Sequence, residues 1–220
     1  MAAHLDPIPL SDHRASLQKY LREIAPPGDS VARRIIEERL PAKYTQDPVR
    51  PALVLWACAA VDGNVADALP VAAAFELFDR FLLLHDELTE ASPTVARWGL
   101  GQSLNAGDAL YAMAFRTLAS DALDAPRRLA AARLVAQAIL EALAGAKDDE
   151  ARSAVLTSAA LGAGAMLGGA PQHAVRKFFE AGRLLRSDPP AAVASLRSCT
   201  SRPHLDAFEE VARYVARRAA

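Results

Sequence analysis

A chain of 220 residues, 52% hydrophobic and 23% charged, has the makeup of an ordinary water-soluble globular protein. At that size one core buries about 70% of the surface the unfolded chain exposes, so a single domain over residues 1–220 is expected. The net charge of −1 gives no electrostatic pull towards nucleic acid or an anionic membrane, and two cysteines, Cys58 and Cys199, are too few for a disulfide framework or a cysteine zinc site. A reduced, cytoplasmic setting is the simplest expectation.

Ala, Leu and Arg abound and β-branched runs are scarce, which favours helices. Residues 1–10 carry prolines, His4 and Asp6 and no apolar run of the signal-peptide kind; with the residues up to 16 they are expected to be loose. Helices are predicted over 17–24 and 30–40, parted by Pro26-Pro27-Gly28, with Asp29 or Ser30 as N-cap. A loop follows over 41–51, and Pro51 sits where the first turn of a helix accepts proline. Helix 52–61 is almost wholly apolar, hence buried, and Asp62-Gly63-Asn64 ends it. Residues 66–88 form the longest helical pattern, apolar on most sides, so this helix is expected at the centre. Ser92-Pro93 marks a break, and 94–118 continues as one or two helices. Pro126 opens a helix over 127–145, which the acidic turn at 147–150 closes.

The uncharged stretch 153–172, SAVLTSAALGAGAMLGGAPQ, is long enough to span a bilayer. Its Ala, Gly, Ser and Thr make poor lipid-facing surface and suit a helix packed closely by its neighbours, so no membrane span is expected. A helix over 173–186 is broken by Asp188-Pro189-Pro190, and helices over 191–196 and 204–218 end the chain. No alternating β pattern and no internal repeat occurs. The class is all-α.

Chemistry concentrates in residues 75–90, FELFDRFLLLHDELTE. Asp86 and Glu90 lie four residues apart on one helix face, with Asp79 and Glu76 on or near that face further back. Carboxylates gathered at the end of an apolar helix resist ionising together unless a cation is present. Hard oxygen donors suit Mg²⁺, which keeps several waters and bridges to substrate phosphates. A solvated acidic helix end has the same spacing, so spacing alone leaves both readings open. His4, His13, His173 and His204 lack a His or Cys partner at ligand spacing, which argues against zinc. The Gly162-x-Gly164 pair has no preceding strand, and Ser153 and Ser158 have no poised base. Arg33-Arg34 and Arg217-Arg218 read as solvated helix faces.

With the PTVARWGLGQSLNAGDALYAMAFRTL that follows it, this segment resembles the core of the trans-isoprenyl diphosphate synthases, or polyprenyl synthetases. His85, Asp86, Glu87 and Glu90 fall on the first aspartate-rich motif of that family. Pro93-Thr94-Val95 and Gly107-Asp108-Ala109-Leu110 fall on the segments after it. Arg50-Pro51-Ala52-Leu53-Val54-Leu55 resembles the family's Arg-Pro helix opening, and 154–170 its Gly-Ala-rich helix.

The resemblance implies a helical bundle of the isoprenoid synthase type around a deep apolar cavity. In that family Mg²⁺, held by two aspartate-rich motifs on facing helices, binds an allylic prenyl diphosphate and promotes loss of its diphosphate; isopentenyl diphosphate then adds to the allylic cation. A pyrophosphate leaving group needs concentrated positive charge, and a carbocation needs dry walls. By this resemblance Asp86, Glu87 and Glu90 are the Mg²⁺ ligands and Arg50 and Arg152 meet substrate. Phe81 and Leu82, just upstream of the motif, limit chain length and make the cavity short. His85 has the chemistry of a general base, but in the family it flanks the motif structurally, and that role is the one expected.

Departures from the family accompany the match. The Gly-Gly-Lys-Arg that holds isopentenyl diphosphate aligns with Thr45-Gln46-Asp47-Pro48, leaving Arg50 alone. Glu87 and Glu90 replace aspartates, and the extra methylene shifts each carboxylate where octahedral Mg²⁺ is strict. The family's Arg-Arg pair is missing between Glu90 and Pro93, and Arg152-Ser153 stands for its Lys-Thr. The second motif, Phe-Gln-x-x-Asp-Asp, should follow Phe178-Phe179-Glu180-Ala181-Gly182, yet there the chain keeps one displaced acid, Asp188, and two prolines. A short, degenerate member is therefore expected, its deficit falling around 147–152 and after 182. Its expected role is a non-catalytic or impaired homologue. It would act as a prenyl-diphosphate binder, or as a subunit in a homodimer or in a heterodimer with a full-length prenyl synthase. The alternatives are an enzyme that ionises an allylic prenyl diphosphate with Asp86, Glu87 and Glu90, and a helical structural domain with no prenyl ligand.

Overall fold

The computed structural model describes residues 11–26, 28–40, 49–88, 92–120, 124–144 and 149–219, and among these every regular element is an α-helix. In chain order they are α1 (Ser11–Glu23), α2 (Val31–Arg39), α3 (Val49–Ala59), α4 (Val65–Asp86), α5 (Pro93–Trp98), α6 (Leu100–Leu118), α7 (Ala125–Ala144), α8 (Asp149–Leu167), α9 (Gln172–Leu184), α10 (Pro189–Leu196) and α11 (Arg202–Ala219). The all-α class stands.

The long apolar helix is central, as its pattern requires. Val71, Ala72, Ala73, Ala74 and Phe75 are all buried in succession. Successive residues step about 100° around a helix, so α4 is covered on every side at this level. Its neighbours are α3 and α6, with α8 and α1 touching it more lightly. The small-residue helix α8 is the second hub, set against α9, α3 and α7. Its glycines and alanines let backbones approach. A Cβ on Gly164 would lie 2.2 Å from the Val54 carbonyl oxygen of α3, and one on Gly182 of α9 would lie 2.4 Å from Ser158 Cα. Ser158 Oγ adds a bond across that seam, donating to the Phe179 carbonyl at 2.8 Å. No helix among the described residues is long and apolar enough to cross a membrane.

Several boundaries differ from expectation. Residues 11–16, expected to be loose, already belong to α1, while 1–10 lie outside the described residues. Ser30 caps α2, accepting from the Arg33 N–H at 3.2 Å, and Asp29 instead pairs with Arg34 at 2.8 Å. The stretch 94–118 is two helices, because Gly99 at φ 80° adopts a backbone that side-chain-bearing residues avoid. Asp149 and Glu150, expected in a turn, open α8, where acids favour the positive end of the helix dipole. At the far end, Trp56 of α3 stacks on Phe208 of α11 with ring centroids 4.8 Å apart, which ties the last helix to the core. Both cysteines are free, and burial pushes the Cys58 thiol up to about 11.

Candidate functional site

The acidic end of α4 presents two faces to two sets of neighbours. Asp79, Leu82 and Asp86, at i, i+3 and i+7, share the face towards α3 and α8. Arg50 of α3 donates to Asp79 at 2.5 Å and to Ser153 of α8 at 3.1 Å. Arg152 of α8 grips Asp86 with both terminal nitrogens, at 3.0 and 2.8 Å, and also donates to Asp149 at 2.8 Å. The other face turns towards α6. There the Phe81 ring lies 5.3 Å from that of Tyr111 and 4.2 Å from that of His85. His85 Nδ1 sits 3.0 Å from the Phe81 carbonyl oxygen, and a Cβ on Gly107 would come within 2.3 Å of the His85 ring. The ring therefore occupies the place a side chain at 107 would take, which is a packing role. Phe81 and Leu82, expected to act together on a substrate tail, thus face different helices.

Glu87 follows α4 directly. Arg39 of α2 donates to its two oxygens at 2.8 and 2.6 Å and also bonds the Thr94 hydroxyl of α5. About three turns back along the helix, Glu76 is buried and accepts from Arg80 at 2.7 Å. Glu90 and residues 45–48 lie outside the described residues.

The electrostatics follow these pairs. Hydrogen bonds from Arg39, reinforced by its charge, hold the Glu87 carboxyl below the usual range. Burial pushes the Asp79 carboxyl above it, with Arg50 working in the other direction. The hydrogen bonds that Arg152 donates to Asp86, with the charge of that carboxylate, keep it protonated more firmly than an ordinary arginine. A depressed carboxylate pKa stabilises the fold above the ordinary glutamate value, near 4.3, and that contribution is lost as pH falls through the lower folded value. The stability margin of wild type over Glu87→Gln, read from urea midpoints, is therefore expected to be full at pH 6 and to close as pH falls below about 4. A margin independent of pH would show that Glu87 is not held by Arg39.

Among the described residues, the carboxylates that suggest a metal from the sequence are thus each met by a guanidinium. Glu76, Asp79, Asp86, Glu87 and Asp149 face Arg80, Arg50, Arg152 and Arg39, so the cluster is close to neutral. No group of three or more His, Cys, Asp or Glu side chains that could hold a metal ion occurs among the described residues. As arranged, the described donors do not fit a divalent cation. Asp188, the displaced acid of the expected second motif, is the N-cap of α10 and accepts from the Ala191 N–H at 3.1 Å. Sequence reasoning missed Arg39, Arg80 and Asp149. Only Arg80, four residues from Glu76, and Asp149, three from Arg152, carry a local signal.

The Polyprenyl synthetase family model matches residues 43–154, half of the chain. The chain belongs to the polyprenyl synthetase family. A geranylgeranyl diphosphate synthase of Methanosarcina mazei is 30% identical over 162 residues, which cover 62% of this chain and 50% of that protein. The chain thus spans about half the length of the curated relatives it matches. Among solved structures, a geranylgeranyl pyrophosphate synthetase from the archaeon Geoglobus acetivorans aligns with a TM-score of 0.78 at 16% identity, covering 94% of this chain and 97% of that one. A deletion mutant of the heterotetrameric geranyl pyrophosphate synthase of mint aligns at 0.69 and 18%, covering 96% and 98%. These likenesses show that the bundle is the isoprenoid synthase fold. The polyprenyl synthetase match takes in Arg50, the end of α4 and Arg152, and leaves out Arg39.

Proposed function

We propose that this polyprenyl synthetase family member is a non-catalytic subunit that binds an allylic prenyl diphosphate, working as a homodimer or beside a full-length prenyl synthase. The observation that carries the reading is the pairing of Asp86 and Glu87, each two-pronged, with Arg152 and Arg39. A condensing enzyme needs those carboxylates open to a cation. Here they hold helices together, and beyond Gly182 the chain has an apolar helix, α10, with Val193 and Leu196 buried. In this reading Arg152 meets the diphosphate and Arg50 braces α8 from beneath through Ser153. Leu82, on the face shared with Asp86, lies beside the prenyl tail, while Phe81 packs towards α6.

The partner role draws on a second feature. Large apolar side chains stand exposed along one stripe of α6 (Leu100, Leu104, Tyr111) and one stripe of α7 (Leu129, Leu140, Leu143). Such surface on adjacent helices supports a protein interface here. Leu104→Asp with Leu140→Asp is expected to convert a sedimenting dimer to monomer, or to abolish co-purification with a full-length synthase.

A second reading, an active Mg²⁺-dependent prenyltransferase or class I terpene synthase, draws on the half-exposed Asp86 at the motif position. It requires Asp86 and Glu87 to be free of their arginines. Incubation with Mg²⁺ and geranyl or farnesyl diphosphate, with and without isopentenyl diphosphate, separates the two. No diphosphate release above the blank is expected, and release that Asp86→Ala abolishes would establish the enzyme reading.

A further inference from the structure

Within the Asp86–Arg152–Asp149 group, the partners differ in their access to water. The Arg152 side chain is only 16% exposed, whereas Asp86 is 47% and Asp149 86% exposed. The guanidinium is lodged on the protein side, and the carboxylates stand on the solvent side. Such a group exchanges easily in one direction. An incoming anion replaces a carboxylate that returns to water, and exposed ion pairs of this kind are weak. An incoming cation must instead take Asp86 from a covered guanidinium and leave it with the exposed Asp149 alone, which is costly. The planar fork of arginine fits phosphate oxygens as it fits a carboxylate. The neighbouring Arg50–Asp79 pair, 22% and 17% exposed, is covered on both sides and stays shut.

We propose that an organic diphosphate binds the end of α4 by displacing Asp86 and Asp149 from Arg152, with no divalent metal, so that Asp86 competes with the ligand instead of serving it through a cation. This rests on the diphosphate-binding reading above and specifies how that site recognises its ligand. The roles it gives Asp86 and Arg152 are opposite in sign. Removing the Asp86 charge frees the guanidinium and strengthens binding; removing the guanidinium destroys the site.

Titration calorimetry of the full chain with geranyl diphosphate, in excess EDTA and in millimolar Mg²⁺, tests it. The two dissociation constants are expected to agree within about threefold. Asp86→Asn is expected to tighten binding about tenfold, and Arg152→Gln to weaken it about tenfold or more. A gain of affinity in Asp86→Asn cannot come from a misfolded chain, so the result does not depend on how well Arg152→Gln folds. Binding that appears only with Mg²⁺, or that Asp86→Asn abolishes, overturns the inference alone and leaves the diphosphate-binding reading standing. No binding in either buffer overturns both.

Discussion

Gly182→Val is expected to lower the stability of the protein by about 3 kcal/mol or more, at the upper end of the range for overpacked cores. The first new carbon would lie 2.4 Å from Ser158 Cα, 2.6 Å from Ser158 N and 2.7 Å from the Thr157 carbonyl oxygen. All three are backbone atoms of α8, so no side chain can swing aside. Parting the two helices would also break the Ser158 hydroxyl bond to Phe179 and unseat the Phe179 ring, which fills the place a side chain at Gly162 would take. Gly101 on α6 is the control, because a Cβ there meets nothing within 4 Å. Gly101→Ala is expected to leave stability unchanged or raise it by up to about 1 kcal/mol. Urea unfolding midpoints compare the two, and a wild-type midpoint for Gly182→Val would refute the α8–α9 seam.

Phe208→Ala is expected to cost about 3–5 kcal/mol, the usual loss for an aromatic removed from a core. Phe208 is fully buried, and its ring lies over Trp56, which also stands 6.0 Å from the ring of Phe178. One aromatic stack thus joins α3, α9 and α11. A double-mutant cycle with Trp56→Ala should return a coupling of about 0.5–1.5 kcal/mol beyond simple burial. Hydrogen exchange in Phe208→Ala should show α11 losing protection before α4. Equal protection in both helices would mean that α11 does not depend on this stack.

The fold is legible in the sequence where burial writes it in apolar periodicity. Helix α4 announces its central place because nearly every side of it is apolar, and α8 its tight packing because its side chains are small. Boundaries set by charge are less visible. The first turns of α1 are Ser-Asp-His-Arg, polar residues with no apolar stripe until Leu17 and Leu21, which are the residues that dock it. The acids that open α8 have the composition of a turn, and only the helix dipole makes them a good start. Gly99 interrupts a pattern that continues on both sides.

The candidate site divides in the same way. Asp79, Asp86 and Glu87 were visible as a cluster because they are close in the chain. The cations that neutralise two of them are not: Arg39 stands 48 residues from Glu87, and Arg152 stands 66 residues from Asp86. An acidic helix end reads as a metal site until the fold brings its counter-charges from other helices. The separation of Phe81 from Leu82 follows from the 100° step between neighbours on a helix, which divides adjacent residues between faces.

The contact between His85 and Gly107 also limits how this region can move. The ring sits like a key in a notch of α6, so the last turn of α4 cannot rotate about its own axis without driving imidazole atoms into that helix. A slip of one residue would swing Asp86 by about 100° away from α8. The azimuth of the acidic face is therefore fixed, and adaptation to a ligand there falls to the arms of Asp86, Asp149 and Arg152, swinging in place above a helix that does not turn.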